Sequence, residues 1–354
     1  MKINFQEKFS LSKKNVLVII FLLFLIFLCA FILRYTLKVF QIAEQNAPKQ
    51  SDFKDFYIMI TGSSDNADYL QKVYEGAVKV ADEYNAVVEL LVSKNKAEDI
   101  SIAEKLEYAQ AIGADGVIAY IDSDKEIIKS LKNANGEEIP LISLGEKSPF
   151  NNSICYIGPN KFELGKILAK TAILLCPNGG NLLIPVDEEK NTESTNQLIL
   201  NMKQTLSEYY AKSALNEKNE EIFLNKINIE ILPLKNSDTI SVDEFIKQEI
   251  IARKNINCVL CLNHADTLRV CQAILDVNRT SVLVIGYNES EKTLDLLKKG
   301  VLQALISFNA EETGKLAMKE IFEYIKNGNA NVYVANDIRV LRGKNFSEIN
   351  FNME

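Results

Sequence analysis

Cys258-Val-Leu-Cys261 has the spacing of a redox or metal-binding thiol pair, and His264 is the only histidine of the chain. Neither residue set can do that chemistry as it stands. The run Ile256–Leu262 reads as a buried strand, in which residues three apart point to opposite faces. No second Cys pair accompanies the first, so buried structural cysteine is the expected role. One histidine without other partners builds neither a His-based metal site nor a catalytic dyad. No strand is followed by G-x-G-x-x-G or G-x-x-x-x-G-K-[ST], and no G-x-S-x-G elbow occurs. These residues argue against a nucleotide enzyme or a hydrolase, and no enzymatic activity, cofactor or metal is expected.

The elements that would position any site begin after an uncharged apolar run, VLVIIFLLFLIFLCAFIL at residues 16–33. Its length approaches the ~20 apolar residues that cross a bilayer core. A cleaved signal peptide is the competing reading, but Arg34, Tyr35 and Thr36 follow directly, without a small-residue cleavage pattern. Phe27 and Leu28 do not fit a lipoprotein signal before Cys29. Lys2, Lys8, Lys13 and Lys14 precede the run, so the positive-inside rule places residues 1–15 in the cytoplasm and the large domain outside. Residues 16–40 are expected to be a transmembrane anchor with its flank, and 41–54 a short polar stalk containing Ala47-Pro48. The net charge of −7 argues against a nucleic-acid partner. Six cysteines in a chain of this size do not make a small disulfide scaffold.

From residue 55 onward apolar strands alternate with helices. Phe56–Thr61, Ala86–Leu91, Gly116–Tyr120 and Ile139–Leu144 read as strands, with helices at 66–84, 99–112 and 124–134 between them. Strands follow at Asn181–Ile184, Ile227–Ile231, Cys258–Leu262 and Val282–Ile285. Helices are expected at 192–211, 241–253, 264–276 and 291–299. A late surface helix at 310–327 carries Glu311, Glu312, Lys315, Lys319 and Glu320 on its polar positions. Asn216–Glu221 reads as an exposed insertion. Near-continuous apolar strands alternating with helices indicate parallel sheets covered on both faces.

Several runs, in order, resemble the type I periplasmic binding protein family, in its sugar-binding branch related to ribose- and galactose-binding proteins. Tyr74-Glu75-Gly76-Ala77 with Ala81-Asp82-Glu83 is similar to the family's first helix. Ala111–Tyr120 (AIGADGVIAY), Glu138–Leu144 (EIPLISL) and Val284–Asn288 (VIGYN) resemble three of its strands. Leu297–Ser307 followed by Gly314 resembles its closing segment. The resemblance covers about residues 55–340. It implies two Rossmann-like α/β lobes with parallel sheets, joined by a three-crossing hinge near Gly158, Phe308 and residues 328–332. Lobe one would hold 55–158 and 309–328, and lobe two 159–308 and 329–354.

The resemblance also implies a ligand cleft between the lobes. By motif, Asn66, Asp68 and Tyr69 stand where the family's first loop touches sugar. The family's Asp-Arg clamp is replaced by Gly145 and Glu146, which removes the planar guanidinium fork. A second-lobe Arg falls near Asn196. Asn263 matches a family Asn or Asp, Asn288 the Asp of the VIGYN-like run, and Phe308 a family Gln. The cleft has thus exchanged charged groups for Asn and aromatic ones, which suits a small polar, carbohydrate-like ligand. The implied function is a tethered solute-binding protein of the cell membrane, serving an importer of the ATP-binding-cassette class. A sensory binding protein signalling to a membrane histidine kinase or chemoreceptor would have the same fold.

Overall fold

The computed structural model describes residues 55–93, 95–123, 129–146, 152–188, 193–216, 226–234 and 240–343, together with 32–34 and 38. Among the described residues no helix is long and apolar enough to cross a membrane. The apolar run at 16–33 lies outside them except for Ile32 and Leu33, as do the stalk at 41–54 and most of the insertion at 216–221.

The unit from Asp55 onward is built on two six-stranded sheets. The first contains β1 (Phe56–Thr61), β2 (Ala86–Leu91), β3 (Gly116–Ile121), β4 (Leu141–Gly145) and β5 (Cys155–Gly158). A short strand from near the C-terminal end, β11 (Tyr333–Ala335), completes it beside β5, and every pairing is parallel. The second contains β6 (Gly180–Asp187), β7 (Ile227–Leu234), β8 (Ile256–Leu260), β9 (Leu283–Tyr287) and β10 (Ala304–Ser307), all parallel. Its edge is β12 (Arg339–Arg342), antiparallel to β10.

Helices cover both faces of each sheet, because strands such as β1 and β8 are apolar on both sides. Ile58 and Ile60 pack in one cluster and Met59 in another, on opposite faces of the first sheet. In the second sheet Cys258 and Cys261 likewise fall in different clusters. They are buried and carry no disulfide. Among the described residues no group of His, Cys, Asp and Glu could hold a metal ion.

Lobe one carries α1 (Ala67–Ala81) and α2 (Ile102–Ala111). Lobe two carries α3 (Lys161–Leu175), α4 (Glu193–Asn216), α5 (Val242–Ala252), α6 (His264–Asp276) and α7 (Glu291–Lys298). The last helix, α8 (Ala310–Asn327), returns to lobe one and packs on α1. Two glycines make that packing backbone to backbone. A Cβ on Gly76 would overlap the Glu311 carbonyl, and one on Gly314 would overlap the Val73 carbonyl.

The chain crosses between lobes three times: at Pro159-Asn160, at Phe308-Asn309 and at Asn336–Ile338. The first two crossings end in helix caps. Asn160 accepts from the amides of Phe162 and Glu163, and Asn309 from that of Glu312. The third crossing differs from the expectation at 328–332. Tyr333–Ala335 still pairs with β5, so the chain stays in lobe one until Ala335. Glu320 secures this stretch. Placed on the polar face by sequence, it is 2% exposed and accepts two hydrogen bonds from Asn331.

One other expectation fails, and one helix is unexpected. Residues 129–134 of the helix expected at 124–134 are not helical, and Lys132 instead bridges Glu138 across a turn. Asn133 Oδ1 accepts from the amides of Asn135 and Glu137, which favours that turn over a helix. Helix α3 at 161–175 carries no expectation from sequence, although it buries a helical stripe through Leu164, Leu168, Ala169 and Ala172.

Candidate functional site

The cleft between the lobes encloses a cavity of about 210 Å³. Most of its wall is made of residues at the C-terminal ends of strands, and residues near helix N-termini supply most of the rest. Lobe one gives Tyr120 to Asp122 from β3, Gly145-Glu146 from β4 and Gly158-Pro159 from β5. Lobe two gives Pro185 to Asp187 from β6, Leu262-Asn263 after β8, Tyr287-Asn288 from β9 and Phe308 after β10. In parallel α/β sheets the loops and helix N-termini converge at that end, so ligands bind there.

Of the residues expected from sequence, Asn66, Tyr69, Glu146, Asn263, Asn288 and Phe308 line the cavity. Asp68 and Asn196 do not, and both are exposed. Thr195, one residue before Asn196, lines it.

The lining residues differ in how free they are. Asn263 caps α6: its Oδ1 accepts from the Asp266 amide at 2.8 Å, and its Nδ2 donates to Asp266 Oδ2 at 2.5 Å. Both ends of its amide are therefore spent within the chain. Asn66 Nδ2 donates to Asp122 Oδ1 at 2.8 Å and to Ser63 Oγ at 3.0 Å. Asn288 is different. It is 3% exposed, sits at φ 63°, and its side chain has no hydrogen-bond partner among the described residues. Asn is among the few residues that tolerate this left-handed backbone.

Glu146 replaces the missing clamp in part. Its Oε1 accepts from Lys161 Nζ at 2.9 Å, a bond from lobe one to the first helix of lobe two. Among the described residues its Oε2 is buried without a partner, as is Asn336 Oδ1 in the third crossing. Gly145 beside it has φ +81°, and a Cβ there would meet the Tyr120 ring at 2.7 Å. The Tyr120 ring thus fills space that a side chain at position 145 would need.

Aromatic rings form the rest of the wall. Tyr69 meets Tyr120 edge-on with centroids 5.7 Å apart, and Tyr287 meets Phe308 at 4.9 Å. Burial holds the Tyr69 hydroxyl up to about 12 and those of Tyr120 and Tyr287 well above the usual range, so all three stay neutral. Tyr69 bonds Thr313 on α8. Tyr120, Tyr287, Asp122, Asp187, Asp266, Arg269 and Asn336 also line the cavity, and no sequence motif marks them. The signal that would have found several of them is position: Tyr120, Asp122, Asp187 and Tyr287 stand at or just past the last residues of their strands.

The lobes touch across the mouth of this cleft. His264 at the start of α6 meets the Asp65 backbone, and Lys72 Nζ lies 3.9 Å from Glu289 Oε1. His264 is 6% exposed with Nε2 2.9 Å from Ser290 Oγ, and burial lowers its pKa.

Two α/β lobes, three crossings and a cleft at the strand ends define a hinged binding protein. Residues 56–330 match the model of the periplasmic binding protein domain, and the chain belongs to that family. No curated protein matches the sequence. Among solved structures, a glucose-galactose binding protein, GanP, from Geobacillus stearothermophilus is 17% identical with TM-score 0.63, covering 82% of this chain and 99% of its own. The XylFII molecule is 21% identical with TM-score 0.59, covering 81% and 98%. A solute-binding protein of an ABC transporter from Burkholderia graminis, in complex with D-arabinose, is 15% identical with TM-score 0.62, covering 84% and 99%. At these identities the likeness concerns the fold.

Proposed function

We propose that this chain is a membrane-tethered extracytoplasmic solute-binding protein that closes on a small sugar-like ligand and delivers it to an importer of the ATP-binding-cassette class. The observation that carries this reading is the interlobe cavity of about 210 Å³, lined by aromatic rings and by Asn288, whose side-chain amide has no hydrogen-bond partner among the described residues. Its size, below the roughly 300–1,000 Å³ of drug-sized pockets, suits a small solute. Rings cover the apolar faces of a sugar, and amides meet its hydroxyls as donor or acceptor. The likeness to GanP, a glucose-galactose binding protein, and to the D-arabinose complex supports a carbohydrate-like ligand. The mechanism is closure: a ligand that contacts both lobes stabilises the state in which they touch, and a membrane partner reads that state.

A thermal-shift screen of the full chain over sugars, polyols and nucleosides tests this. A ligand at ~100 times its Kd stabilises the folded state by about 2.7 kcal/mol, which raises the melting temperature. A screen in which no solute moves the transition sinks the reading.

A further inference from the structure

Five carboxylates line the cavity, Asp65, Asp122, Glu146, Asp187 and Asp266, against one guanidinium, Arg269. The guanidinium is already committed. Its Nη1 lies 2.9 Å from Asp266 Oδ1 and its Nε 3.1 Å from Asp243 Oδ1. A cleft of one sign between low-dielectric walls concentrates the opposite charge. The two buried atoms of the cavity wall without partners, Glu146 Oε2 and Asn336 Oδ1, are both acceptors. An unpartnered buried acceptor costs free energy until a donor reaches it. Asn288, 97% buried with its amide uncommitted, faces the same space.

We propose that the ligand carries a protonated amine beside its hydroxyl groups, and that Glu146 Oε2 receives it. This rests on the reading of the cleft as a ligand site. An ammonium offers three donors where a hydroxyl offers one, so a single group can serve the acceptor-rich wall. The rings around Glu146 add to this. Tyr120 and Tyr287 line the same cavity as Glu146, and its charge helps hold both hydroxyls up. Aromatic faces attract a cation placed against them. Lys161 offsets part of the Glu146 charge, but it binds Oε1 and leaves Oε2 open as an acceptor.

The test titrates the full chain at pH 7 with glucosamine and galactosamine, with glucose and galactose, and with the two N-acetylated amines, which have the same position substituted but no charge. The amines should bind about tenfold or more tighter than the neutral sugars, as expected for a charge-assisted hydrogen bond, and acetylation should abolish the gain. Glu146→Gln should erase the preference. Equal or tighter binding of the neutral sugars overturns the inference and leaves the ligand-trap reading standing. So does a preference that survives Glu146→Gln. If none of the six probes binds, the amine inference falls. Only silence across the wider set of polyols and nucleosides removes the ligand-trap reading as well.

Discussion

Lys105 and Asp99 form a buried ion pair, Nζ to Oδ1 at 2.6 Å, that holds the loop leading into the cleft. The same ammonium donates to the Gly62 carbonyl at 2.6 Å, and Asp99 Oδ2 accepts from the Ser64 amide at 2.6 Å. Burial alone would raise the Asp99 carboxyl, but the bonds from Lys105 and Ser64 outweigh it and the net shift is downward. Asn66 and Tyr69 follow directly on that loop, so a charge pair outside the cavity positions two residues inside it.

Lys105→Met should therefore act on both stability and binding. Lys105 is 2% exposed, and removing one partner of a buried pair typically costs about 3–5 kcal/mol. Urea denaturation should show a loss of that order, and whatever ligand the cleft takes should bind more weakly. A variant as stable as the parent would mean that Asp99 finds water on losing Lys105.

The contact of α1 with α8 predicts a different failure. Gly76→Ala and Gly314→Ala each push a methyl group into a carbonyl of the opposing helix, and neither backbone can yield without parting the helices. Overpacking usually costs about 1–3 kcal/mol, and these two should fall at or above the upper end. Gly113→Ala is the contrast. Its φ is +72° with open space around it, so the loss should be only the ~1–2 kcal/mol of a left-handed residue. Equal melting temperatures for the three variants would contradict this ranking.

Why the alternation and the Gly76 and Gly314 positions were legible is physical. Backbone-on-backbone packing tolerates only glycine, and strands buried on both faces are apolar without a break, so both leave marks in local sequence. The turn at Asn133–Gly136 was not legible as such, because an apolar-polar pattern at 124–134 hid side-chain-to-backbone bonds that decide for a turn. Tyr333–Ala335 was too short and exposed to show a strand, and its place is set by pairing with β5. At the site, motif register found Glu146, Asn288 and Phe308. It missed Tyr120, whose role arises from the missing side chain at Gly145, a relationship between two strands that no single run contains.

Asn288 and Asn263 separate a ligand contact from a helix cap. Asn288→Gly keeps the positive φ and removes only the amide, so affinity should fall about tenfold or more with little change in the unliganded melting temperature. Asn263→Ala should cost about 1 kcal/mol of stability through its lost cap. Asp68→Ala and Asn196→Ala, outside the cavity wall, should leave affinity unchanged. Calorimetric titration of the four variants checks the pattern, and a larger affinity loss from Asn196 than from Asn288 would reverse the assignment.

His264 gives the protein one titration that a single substitution removes. Burial lowers its pKa, Lys292 adds to this, and Asp68 and Asp65 oppose it. The unfolded chain, with a histidine pKa of about 6.5, therefore takes up the proton before the folded one does. Stability then falls as pH drops below about 6.5, and continues to fall until the folded-state value is reached. Because no second histidine exists, the difference between parent and His264→Asn isolates this effect from the carboxylates. Denaturant midpoints measured from pH 7.5 to 5.5 should decline more steeply for the parent than for the variant. Parallel curves would show that the imidazole protonates in place, with Asp65 and Asp68 offsetting the cost of burial.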